Sequence, residues 1–183
     1  GIKKLNLALC DWYKRRFNVE LDPNTEAITT IGAKEGISHL MYATINPGDN
    51  VIVPMPCYPI HAVSVQLAGG NVIPVSLMKD MDLFENIVET FNKTNPKPKM
   101  MILSFPHNPT TKVVDITFFE KIVKFALEND VIIIHDNAYA EIYFDDYLPP
   151  SILQVNGAKE IAAEVYSLSK TFNMPGWRVG FLA

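Results

Sequence analysis

The sequence predicts an α/β protein in three layers (α/β/α), with helices on both faces of a mostly parallel sheet. Three observations carry that expectation. Short apolar runs alternate with stretches of helical period along the 183 residues. Met101-Ile102-Leu103 and Val131-Ile132-Ile133-Ile134 are apolar at every position, as parallel strands covered above and below require. Turn chemistry punctuates the pattern at Asn46-Pro47-Gly48-Asp49, Gly69-Gly70-Asn71 and Asn95-Pro96-Lys97-Pro98.

The elements follow in order. Residues 2 to about 17 are expected to be helical, because Ile2, Leu5, Leu9, Trp12, Tyr13 and Arg16 fall near i, i+3, i+4 spacing, and Pro23 closes the unit. Ala27–Ile31 is the first strand, and Gly32-Ala33-Lys34 leads into a helix over Lys34–Thr44. Strand Asn50–Val53 precedes helix Pro59–Leu67, and strand Asn71–Val75 precedes helix Leu83–Phe91. Strand Met100–Ser104, helix Ile116–Asn129 and strands Val131–His135 and Glu164–Leu168 complete the alternation of a doubly wound sheet. The chain starts at Gly1 and stops inside a further apolar run at Gly180-Phe181-Leu182-Ala183, so a piece of a longer protein is expected.

Composition narrows the function. Hydrophobic residues make up 48% and charged residues 20%, which suits one globular domain with a real core. A net charge of -4 without a basic stripe argues against a nucleic-acid partner. No run of apolar residues is long enough to span a membrane, and nothing at the start reads as a signal peptide. Cys10 and Cys57 are too few for a disulfide framework, which points to a reducing cytoplasm. His39, His61, His107 and His135 lack metal-site spacing, and the pairing of Cys57 with His61 at i, i+4 reads as incidental, so no metal is expected.

Sheets of this class bind ligands outside the carboxyl ends of their strands. Five such ends carry polar or special residues: Gly32 to Lys34, Pro54 to Tyr58, Pro106 to Thr110, Asp136 to Tyr139 and Ser167 to Lys170. Lys170 is either a solvated cation or an amine whose desolvation at this rim makes it nucleophilic and fit for a Schiff base. Asp136 either caps a short helix begun by Ala138-Tyr139 or is a carboxylate held in low dielectric. A lysine imine paired with a carboxylate on a pyridinium nitrogen is the arrangement that serves pyridoxal 5'-phosphate (PLP). Arg178 and Ser167 suit a phosphate clamp, and the Ala33–Lys34 backbone at a helix start suits the same anion. Tyr58 stacks on a ring or simply packs between prolines, and Asn108 is a ring contact or only a turn residue. The chain lacks GxGxxG, a P-loop and a Gly-x-Ser-x-Gly elbow, which disfavours dinucleotide, nucleotide and hydrolase chemistry.

Ser167-Leu168-Ser169-Lys170, followed by Gly176-Trp177-Arg178-Val179-Gly180, resembles the cofactor-lysine signature of class I/II PLP-dependent aminotransferases of fold type I. Asn108-Pro109-Thr110 and Asp136-Asn137-Ala138-Tyr139 match that family's other signatures in order. Gly32-Ala33-Lys34-Glu35-Gly36 and Asn46-Pro47-Gly48-Asp49 resemble the branch holding alanine, aspartate and LL-diaminopimelate aminotransferases. Thr111 departs from the family, which usually has Gly or Ala there, and is expected to alter the turn and not the cofactor contact.

The resemblance implies that residues 1–183 are the PLP-binding large domain, without the small C-terminal domain and an N-terminal segment. It implies that Lys170 carries PLP as an aldimine and moves the substrate α-proton, and that Asp136 keeps the pyridine nitrogen protonated. Tyr139 and Asn108 would bond the ring 3-oxygen and Tyr58 would stack on the ring. Ser167, Ser169, Arg178 and the Ala33–Lys34 backbone would hold the phosphate. The implied reaction moves an amino group between an L-amino acid of alanine or aspartate type and a 2-oxo acid such as 2-oxoglutarate, in a protein that is a homodimer when full length. The substrate-carboxylate arginine is implied to lie outside the piece, which alone would be nearly inactive. A C–S lyase or decarboxylase of the same fold, or the ligand-sensing domain of a transcription regulator, stays open.

Overall fold

The computed structural model describes residues 1–78 and 82–183. Helices α1 (Lys3–Phe17), α2 (Ala33–Thr44), α3 (Pro59–Leu67), α4 (Leu83–Lys93) and α5 (Ile116–Asn129) stand where the 3.6-residue period places them. Strands β1 (Ile28–Thr30), β2 (Asn50–Met55), β3 (Asn71–Ser76), β4 (Met100–Ser104), β5 (Ile132–Asp136), β6 (Ala162–Ser167) and β7 (Gly180–Leu182) form one sheet in the order β1-β7-β6-β5-β4-β2-β3. All pairs are parallel except those of β7, which runs antiparallel to both β1 and β6.

The three layers follow from strand alternation. Ile52, Met101, Leu103, Ile133, Tyr166 and Phe181 face one core with α1, α4 and α5. Val51, Val53, Met100, Ile102, Ile134 and Val165 face the other with α2 and α3. Local signals fix the helix starts. Asp82 and Asp115 accept from the backbone N–H groups of Glu85 and Phe118, and Pro59 opens α3.

Some boundaries differ from the sequence expectation, each for a pairing reason. Pairing with β3 continues to Met55↔Ser76, so β2 runs past Val53. Asp136 stands opposite both Ser104 and Val165, which makes it the last residue of β5 and not the first of a loop. The sixth strand starts earlier, at Ala162 beside Ile133, and Leu168 leaves it to open the one-turn helix α7 (Leu168–Thr171). A second one-turn helix, α6 (Ala158–Ile161), carries too little periodicity to be read in advance. Among the described residues no helix is long and apolar enough to cross a membrane.

Candidate active site

Each residue given a cofactor role from the sequence (Ala33, Lys34, Tyr58, Asn108, Asp136, Tyr139, Ser167, Ser169, Lys170 and Arg178) lines one cavity of roughly 220 Å³. Topology brings them there. β1, β6, β5 and β4 are parallel to one another, so their carboxyl ends share a rim, and the loop after β2 joins them.

One wall is a cradle of unused donors. Gly32 has φ +77 and caps α2, and a Cβ there would lie 2.3 Å from Nη2 of Arg178, so only glycine lets the guanidinium approach this loop. Gly180 is a second close approach, because its Cβ would meet Ala33 N at 2.6 Å and Tyr166 O at 2.8 Å. These contacts press the start of α2 onto β7, where the first N–H groups of the helix have no intrahelical partner. Arg178, itself at φ +52, donates to the Pro175 carbonyl at 3.2 Å and forms no ion pair among the described residues. Ser167 Oγ accepts from Ser169 N at 3.2 Å, while the buried Ser169 Oγ has no partner among the described residues. An anion is the missing acceptor for such a set.

The opposite wall is a carboxylate. Asp136 is buried, accepts from Ala138 N at 3.2 Å, and lies 2.9 Å from His61 Nε2. With Asp136 ionised, Nε2 carries the proton and donates. In the sequence His61 reads only as half of an incidental pair with Cys57, whereas α3 brings it to Asp136 from a distant part of the chain. The only local signal was that His61 stands three residues after Tyr58, on the helix that opens at Pro59 beside the cavity. Residues 138–141 form a turn and not the short helix that was the alternative role for Asp136.

Lys170 is exposed, contrary to the desolvated amine expected from the strand end. Its position in the one-turn α7 lifts it from the strand into the open cavity, where Nζ stands 5.8 Å from the centroid of the Tyr139 ring. Tyr139 Oη accepts from Asn108 Nδ2 at 3.4 Å, so Asn108 serves more than the turn. Tyr58 presents its ring to the Lys34 ammonium at 5.4 Å and packs edge-on against His61.

The turn that carries Asn108 is closed by His107. Its N–H donates to Lys112 O, its carbonyl accepts from Thr111 N, and Nδ1 lies 2.8 Å from Thr110 Oγ1. Burial, reinforced by the neighbouring His61 and Lys112, pushes the His107 imidazole down to about 4, so it is neutral at physiological pH. Thr111 takes φ +57, a left-handed conformation that glycine adopts more readily than a β-branched residue.

The chain matches the model of the family described as aminotransferase class I and II over residues 1–183. It is 50% identical over 182 residues to the glutamate-pyruvate aminotransferase AlaC of Escherichia coli, covering 100% of this chain and 44% of that protein. It is 48% identical over 180 residues to the LL-diaminopimelate aminotransferase of Aquifex aeolicus, covering 98% and 46% respectively. Substrate-bound BacF from Bacillus subtilis superposes with a TM-score of 0.92 at 37% identity, covering 100% of this chain and 46% of that one. The aromatic aminotransferase of Pyrococcus horikoshii also gives a TM-score of 0.92, at 30% identity over 100% of this chain and 49% of that one. The chain thus spans about half the length of the relatives it matches.

Proposed function

The chain belongs to the aminotransferase class I and II family, and from that membership we propose that residues 1–183 are the PLP-binding large domain of an aminotransferase. The residues present fit the cofactor. The cradle offers unused phosphate donors in Arg178, Ser169 Oγ and the first N–H groups of α2, and Asp136 is a buried acceptor in the same cavity. That pairing of anion donors with a carboxylate and a primary amine in one cavity is the observation that carries the reading. When bound, PLP supplies an electron-accepting pyridinium ring and a carbonyl that a primary amine can engage.

Within this reading the chain's own groups have separate tasks. Ser167, Ser169, Arg178 and the Ala33–Lys34 backbone bind the phosphate. Asp136, oriented by His61, would hold a proton on the ring nitrogen. Asn108 and Tyr139 would bond the ring 3-oxygen, and Tyr58 would cover a ring face. Lys170 would supply the primary amine that holds the cofactor and the base that moves the proton at the substrate Cα, for which a base must stand beside the carbon.

The substrates are a small L-amino acid of alanine or aspartate type and a 2-oxo acid such as 2-oxoglutarate. The glutamate-pyruvate and LL-diaminopimelate enzymes among the relatives support that class. We place the protein in the cytoplasm, in keeping with its free Cys10 and Cys57, and as a homodimer in its full-length form.

Borohydride treatment of the chain with PLP, followed by peptide mass mapping, tests the proposal. The pyridoxyl mass is expected on Lys170 and is expected to vanish in Lys170→Ala. Equal labelling of that variant would overturn the assignment. A panel of amino donors assayed on the longer protein tests the substrate class, and release of sulfide or carbon dioxide in place of a new amino acid would overturn transamination.

A further inference from the structure

Glu164 is fully buried on β6, and no task in the proposed reaction uses it. Its carboxylate nevertheless collects donors from three other parts of the chain. Tyr13 Oη of α1 donates to Oε1 at 2.7 Å and Asn137 Nδ2 donates to the same oxygen at 3.1 Å. Oε2 accepts from Ser151 Oγ and from Ile152 N, each at 3.0 Å, and lies 2.8 Å from His135 Nδ1. The other nitrogen of that ring, His135 Nε2, is 3.2 Å from the Phe105 carbonyl oxygen, which can only accept. Both ring nitrogens therefore face acceptors, which fixes the ring between Glu164 and the Phe105 carbonyl. The hydrogen bonds hold the Glu164 carboxyl below the usual carboxylate range against its desolvation.

The two side chains gripped from β5 and its end are those immediately before and after Asp136. Strand alternation turns His135 and Asn137 toward the α1 and α5 layer, where His135 packs on Phe119, and turns Asp136 toward α3 and His61. The tip of β5 is thus clamped from one face by Glu164 and from the other by His61. Core stability alone does not call for an ionised carboxylate here, since well-packed apolar residues replace buried ion pairs at little cost. Directional bonds to both neighbours of one aspartate are what an apolar residue would not supply.

We propose that Glu164 is a positioning residue for Asp136, fixing the carboxylate in place by holding His135 and Asn137 on either side of it. Its importance for the reaction rests on the reading of Asp136 as the partner of the ring nitrogen, but the positioning itself is measurable without cofactor. In hydrogen exchange of the folded chain, the Ala138 N–H, which reports the Asp136 carboxylate, is expected to exchange about tenfold faster in Glu164→Gln, the worth of one lost hydrogen bond. Amides of β4 serve as the reference for global opening, and the His61 ring resonances are expected to shift with Ala138. Unchanged Ala138 exchange and unchanged His61 resonances in folded Glu164→Gln would overturn the proposal. Should Glu164→Gln fail to fold, Tyr13→Phe, which removes one donor and keeps the ring, decides by the same two readouts: a smaller change in the same direction supports the proposal, and no change refutes it. Absence of PLP labelling at Lys170 in the wild-type chain would instead count against the cofactor reading and leave the exchange comparison standing.

Discussion

Thr111 holds φ +57 although a β-branched side chain disfavours that conformation by about 1–2 kcal/mol. It is exposed, and its hydroxyl donates to the adjacent Thr110 carbonyl at 2.7 Å at the surface, so little packing depends on the side chain. Thr111→Gly is therefore expected to raise stability by up to about 1 kcal/mol, the steric relief minus the chain entropy of glycine, in urea unfolding. Legibility at this scale followed sequence proximity. That Lys170, Arg178, Asn108 and Asp136 meet in one cavity is legible because each sits at a strand end or next to a turn whose chemistry is local. The places of His61 and Glu164 are not, because their partners lie far away in the chain: His61 reaches Asp136, and Glu164 reaches Tyr13 of α1. The exposure of Lys170 escaped for a different reason, since one turn of helix at α7 has no period to detect.

The elements themselves were legible wherever apolar periodicity ran for several residues, as in α5 or the wholly buried β4. Their ends were set by pairing across the sheet, which a linear reading does not contain. The antiparallel β7 illustrates the point. Its Gly180 stands between Thr30 and Ser167 in the cross-strand register, at the place where the turn before α2 crosses the sheet. A methyl group on Gly180 would strike Ala33 N at 2.6 Å, Gly32 C at 2.8 Å and Tyr166 O at 2.8 Å, all of them backbone atoms that cannot swing aside. Gly180→Ala is expected to cost about 2 kcal/mol or more in chemical denaturation and to weaken PLP labelling in parallel. Loss of stability with labelling intact would show that the cradle does not depend on this contact.

The molecule as a whole should register His107 in its response to acid. Its imidazole sits at about 4 when folded and near 6.5 when unfolded, so between those values the unfolded chain binds more protons. Stability therefore rises with pH across that window and is lost on acidification from about 6.5 to 4, by up to about 3 kcal/mol from this residue. His107→Asn is expected to flatten that part of the stability profile; an unchanged slope would assign the acid sensitivity to other groups.

β1 lies at the sheet edge and, among the described strands, pairs with β7 alone, which comes last in the order of elements. During synthesis β1 waits without its strand partner until the β7 segment has been made. The wall where Arg178 meets the turn before α2 lies between these two segments, so it cannot form earlier. A nascent chain arrested before residue 178 would hold Asp136 and Lys170 already in sequence yet lack the guanidinium that faces Gly32.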